Sequence, residues 1–185
     1  MCLWKQIRAL NEETEGSAKT VFKPQDQRHD KSTFVESQED DPELIIEVPF
    51  VNGVKVKSIT ISGEQGEKHP SKCKLFINRD DIDFSNAHDL PATQTLDLNE
   101  DIDAEYEYPL KTSKFYSVQS LTLFFPESFG MDRTKIFYIG LKGVNMKFKR
   151  DIVEAVYESR PTAEDTRARG DEFSGDISET ATYGS

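Results

Sequence analysis

Cysteine is nearly missing from this chain of 185 residues: Cys2 and Cys73 stand far apart and form no Cys-x-x-Cys pair. That spacing disfavours a structural disulfide between them and excludes a thioredoxin-type redox motif. Histidine occurs three times and tryptophan once. No apolar run approaches the length needed to span a bilayer as a helix. Basic residues are outnumbered by acidic ones, 23 to 34, for a formal net charge of −11. Phosphate-rich partners are held through Lys and Arg, so this balance argues against nucleic acid and anionic membrane surfaces. The sequon Asn-x-Ser/Thr is absent, and the start, Met1-Cys2-Leu3-Trp4-Lys5, carries charge inside its apolar stretch. It does not read as a secretory signal. A cytoplasmic protein, present also in the nucleus, is the expectation.

What the chain does contain is strand after strand. Residues 134–143, Thr-Lys-Ile-Phe-Tyr-Ile-Gly-Leu-Lys-Gly, are branched and aromatic on both parities, so both faces of this strand should pack. Leu44, Ile46, Val48 and Phe50 alternate, and Val51-Asn52-Gly53 then offers a strong local hairpin signal. Val54 and Val56 continue the alternation until the phase shifts to Ile59 and Ile61, which predicts a bulge near Ser58. Further strands are predicted over 73–77, 93–98, 106–110, 114–115, 118–125 and 151–157, with Phe84 and Leu90 plugging an acidic loop between two of them. Leu3, Ile7 and Leu10 fit helical spacing and predict a short amphipathic helix over 1–10. After Tyr157 the composition cannot bury enough apolar surface to offset chain entropy, so 158–185 reads as a disordered acidic tail. Short strands punctuated by turn signals, with no long helix, predict an all-β, jelly-roll antiparallel β-sandwich over 11–157.

Three stretches carry a family resemblance. They are Phe34-Val35-Glu36-Ser37 with Asp40-Asp41 before Leu44-Ile45-Ile46; Pro70-Ser71 leading into Leu75-Phe76-Ile77-Asn78; and residues 134–143. Together with Leu10-Asn11-Glu12 and Val21-Phe22-Lys23-Pro24 they resemble the PITH domain, named for proteasome interaction and found C-terminally in a thioredoxin-like protein. The similarity runs from about Leu10 to Tyr157. It implies a sandwich similar to galactose-binding and DOC-type domains, and association with the proteasome regulatory particle. With no thioredoxin domain and no redox cysteine pair here, reductase activity does not carry over. The family supplies no catalytic residue to map.

The residues themselves offer little chemistry. His29, His69 and His88 lie in predicted polar loops without ligand-spaced partners, and read as surface histidines. Asp97, Asn99, Asp101 and Asp103 have the spacing that opens a calcium loop, but Ile102 and Tyr108 stand where that template needs Gly and Glu. A looser calcium site with Asp80, Asp81 and Asp83 competes with a plain solvated acidic loop. Phe22, Phe84, Phe129, Tyr116 and Tyr138 read as core or core lid in preference to a sugar-stacking platform. Cys73, in phase with Leu75 and Ile77, reads as a buried thiol. In the tail, Phe173 and Tyr183 are candidate protein-binding anchors. The expectation is a monomeric, non-enzymatic interaction domain with no cofactor and no metal. The alternative is a glycan or small-ligand binding module using loops at one end of the jelly roll.

Overall fold

The structure, a computed structural model, describes residues 6–130 and 132–146. Eight strands form it: β1 (Arg8–Leu10), β2 (Val35–Glu36), β3 (Leu44–Gly63), β4 (Lys72–Ile77), β5 (Gln94–Asp97), β6 (Glu107–Pro109), β7 (Val118–Phe125) and β8 (Lys135–Asn145). Short 3-10 turns at Ser17–Val21 and Gln25–Gln27 are its helical elements. Every strand pair is antiparallel. Among the described residues no helix is long and apolar enough to cross a membrane.

The 20-residue strand β3 organises both layers. Its first part, Leu44 to Pro49, pairs with β7 on one side and β1 on the other, and β7 continues to β4 and β5. Its second part, Val54 to Gly63, pairs with β8 and, at 58–60, with β6. Val54 sits at the handover, opposite Val118 of β7 and Asn145 of β8. The expected hairpin at Asn52-Gly53 therefore does not form. The strand runs through this dipeptide and changes sheets there, and the two halves find their hydrogen bonds in different neighbours. The bulge near Ser58 is present: the register with β8 slips between Val56 and Ser58, leaving Lys57 without an opposite.

Alternation explains the burial. Leu44, Ile46, Val48, Val54, Val56, Ile59 and Ile61 of β3 face the interior with Cys73, Leu75, Leu121, Leu123, Phe125, Ile136 and Ile139. Each such side chain contributes about 1.5–3 kcal/mol by leaving water. The opposite parity is buried as well. Ile45, Phe76 and Phe124 form a second cluster under Ile82, Phe84, Ala87 and Leu90 of the acidic loop, so the predicted plugs do cover the sheet. Burial pushes the Cys73 thiol up, in keeping with an inert core residue.

Two local expectations change. Residues Arg8–Leu10 are a strand, in register with Glu47 to Ile45, and Ile7 is buried in the core. Three apolar positions over eight residues are too few to fix a period, and the edge of β3 decides the matter by supplying backbone partners. Residues 1–5 lie outside the described residues. The predicted strand at 114–115 is instead a turn, with the Lys114 and Phe115 amides donating to the Lys111 carbonyl. The predicted strand 151–157 and the tail 158–185 lie outside the described residues.

The sheet margins are closed by specific bonds. Glu12 bridges to Ser37, and the Glu13 amide donates to the Glu36 carbonyl, tying the chain beyond β1 to β2. Across the sandwich, the Gln94 side chain donates to the Pro109 carbonyl and accepts from the Lys111 amide, lacing β5 to β6. Such closures remove sticky edges.

Candidate binding surface

The loops 63–71 and 98–106, with 126–130 and 132–134, gather at one end of the sandwich and hold a buried polar cluster. His69 is fully buried, contrary to its reading as a surface residue. Its Nε2 accepts from the Asp101 amide at 3.0 Å, so the ring proton sits on Nδ1, which donates to the Pro70 carbonyl at 2.8 Å. Asp101 is itself 4% exposed. Its carboxylate accepts from the amides of Asp103 and Glu105, each at 3.1 Å, and of Tyr106 at 2.8 Å. The alternating acids that suggested a calcium loop thus have a different local use. Asp101 organises its own loop, Asp103 pairs with Lys31 at 3.4 Å, and the Asn99 amide donates to the Tyr108 hydroxyl. Asp81 pairs with Arg79, and Asp83 accepts from the amides of Ser85 and Asn86. Among the described residues no three His, Cys, Asp or Glu side chains converge as a metal-binding group.

Beside this cluster, Glu36 is buried against Lys68 at 2.7 Å and Arg133 at 3.4 Å, while Lys135 reaches Glu64 at 3.2 Å. Burial alone would raise the Glu36 carboxyl, but Lys68, Lys135 and Arg133 outweigh it and hold the group below the usual carboxylate range. Lys135 also lies over the ring of Phe34, 4.4 Å from its centre. The other two histidines are at the surface. His29 accepts from the Arg28 side chain, and His88 meets Glu43 at 2.6 Å while packing edge-on against Phe124.

The five aromatics divide. Phe22, Phe84 and Tyr138 are core or core lid as expected. Phe129 and Tyr116 are about half exposed, 48% and 53%, because each stands on a loop tip. Tyr116 is flanked by the Lys55 ammonium, 5.5 Å from its ring centre.

A groove of about 710 Å³ follows β8, lined by every residue from Tyr138 to Asn145 and by Phe50, Val54, Val56 and Thr60 of β3. Lys23, Pro24 and Arg28 border it, with Ala104, Glu105 and Glu107 also in its wall. Its size falls within the range of ligand sites. Gly140 lets the Tyr138 ring lie across the strand, since a Cβ there would meet the tyrosine oxygen at 2.7 Å. Burial pushes the Tyr138 hydroxyl up. Glu107 is held by Ser58 at 2.5 Å and Lys142 at 3.2 Å, and these two contacts lower its carboxyl. Sequence reasoning missed this groove. Its signal is non-local, since it depends on which flank of β8 stays uncovered. The tail residues Phe173 and Tyr183 lie outside the described residues.

Comparison with known proteins agrees with this architecture. The PITH domain family matches residues 3–161. The chain is 44% identical over 162 residues to PITH domain-containing protein 1 of Dictyostelium discoideum, covering 88% of this chain and 80% of that protein. It is 40% identical over 164 residues to human PITH domain-containing protein 1, covering 88% and 77%. Among solved structures, the CBM32-1 and CBM32-2 domains of Clostridium perfringens ZmpB align with a TM-score of 0.55 at 11% identity, over 76% of this chain and 35% of that one. The C-terminal domain of a Bacteroides fragilis chitobiase aligns with a TM-score of 0.51 at 16% identity, over 78% and 99%. At such identities the likeness concerns the jelly-roll fold alone. The sequence matches go further: this chain belongs to the PITH domain family.

Proposed function

We propose that this chain is a non-enzymatic protein-interaction domain that associates with the proteasome regulatory particle, in the cytoplasm and the nucleus. Membership of the PITH family carries the reading. The chemistry of the described residues supports it. Asp101, Glu36 and His69, the buried groups that could have served as acid, base or ligand, are committed to backbone amides and ion pairs. Nucleophilic catalysis needs an activated side chain with a base in reach, and the buried Cys73 thiol lies in apolar surroundings instead.

In this reading the sandwich supplies one contact and the tail anchors Phe173 and Tyr183 a second, the tether raising effective concentration. Native co-purification with the regulatory particle, using the full chain and a version ending at residue 157, tests it. Recovery with the full chain and weaker recovery without the tail is expected. Failure of both to recover the particle overturns the reading.

A glycan or small-ligand module is the second reading. Tyr106, 51% exposed in the loop that Asp101 organises, is the residue that favours it. Titration calorimetry with monosaccharides and calcium decides that case. Heat lost on Tyr106→Ala supports it, and its absence throughout removes it.

A further inference from the structure

The flank of β8 that faces away from β3 is almost bare. β2 covers it only at Ile136 and Lys135, through Val35 and Glu36. From residue 137 to 145 no described strand pairs this flank. No described backbone group bonds to it either, the neighbouring bonds being Lys135 to Lys68 and Met146 to Gly53. At two other margins Glu12 bridges to Ser37 and the Gln94 side chain donates to the Pro109 carbonyl. An exposed row of amides and carbonyls is a template for another strand, and proteins usually blunt such edges. Here the edge opens into the groove, which residues of both parities from Tyr138 to Asn145 line.

Three further observations bear on what fits. Asn145 Oδ1 is buried and has no hydrogen-bond partner among the described residues. Gly140 and Gly143 are packed against this chain itself, under the Tyr138 ring and the Lys55 carbonyl, so an added strand would gain backbone contacts there and no side-chain pocket. Arg28, half-buried at the groove wall, donates to His29 and holds no carboxylate among the described residues, whereas Arg8, Arg79 and Arg133 each do. In a chain of net charge −11 this leaves a guanidinium in the groove wall available to an acid. We propose that the open flank of β8 receives an extended peptide segment of a partner protein, added as an antiparallel or parallel strand, with an acidic side chain meeting Arg28. Backbone bonds supply affinity in this mode and side chains supply choice. The site does not depend on the partner being the proteasome.

The test uses the full chain and amide hydrogen exchange over 137–145, with a capped eight-residue peptide alternating Val and Thr around one central Glu. In the free protein the outward amides of this stretch exchange fast. The Glu peptide protects them, its Lys counterpart binds about tenfold more weakly, and a backbone N-methylated version fails to protect. Arg28→Gln removes the preference for Glu while leaving protection by the peptide in place. Protection already present in the free chain would show that its own residues cover the edge and would overturn the proposal. So would equal protection by the N-methylated peptide, or none by any peptide at millimolar concentration. None of these readouts involves the regulatory particle, so they stand apart from the co-purification.

Discussion

The loop end around His69 and Asp101 and the groove along β8 border the same sheet, yet they treat polar groups in opposite ways. At the loop end each buried polar atom has a partner: three amides converge on Asp101, a fourth amide on His69, and two cations on Glu36. In the groove an asparagine oxygen is buried without a partner among the described residues, and one flank of β8 pairs with no described strand from residue 137 on. A buried polar group without a partner costs about 1–3 kcal/mol. The first region therefore contributes to stability, and the second forgoes stability to stay available.

The contrast can be broken most severely at Asp101. Asp101→Ala takes the shared acceptor from three part-buried loop amides, and a loss of roughly 3 kcal/mol in urea unfolding is expected. Gly143→Ala tests the far side. Its Cβ would lie 2.4 Å from the Lys55 carbonyl, so β8 must shift off β3, at about 2 kcal/mol by the same measurement.

Glu36→Gln removes a buried charge from between Lys68 and Arg133, and about 1 kcal/mol should be lost at pH 7. Its pH dependence has a definite sign. The folded carboxyl titrates below its unfolded value, so its contribution is full above about pH 4.3 and fades as pH falls through the folded value. The glutamine variant should thus lose less stability on acidification than the parent. Smallest of all is Tyr138→Phe. Among the described residues its hydroxyl carries no hydrogen bond, so a change within about 0.5 kcal/mol is expected. A large loss would show that the groove is tied down like the loop end.

Most strands were legible because burial on one or both faces writes its period into the residues. Cys73, Leu75 and Ile77, or Val54, Val56 and Ile59 with the phase slip, could be read directly. The failures share a cause. Asn52-Gly53 has every local feature of a tight turn, but pairing with β7 on one side and β8 on the other keeps the chain extended. Ile7 and Leu10 fit a helical period over too few residues to outweigh a vacant neighbour strand. His69 sits between Lys68 and Pro70 in a polar stretch, and nothing local tells that an amide 32 positions later folds over it. The groove was least legible, since an uncovered flank is a property of topology.

The continuous run of β3 has a mechanical consequence. Because one rope of backbone is woven into both layers, neither layer can peel away while the other persists. Loss of order within 8–146 should therefore arrive as one event, with fluorescence and circular dichroism tracing a common curve. A protease nick at Asn52 would leave two halves that each need the other to hold their shape.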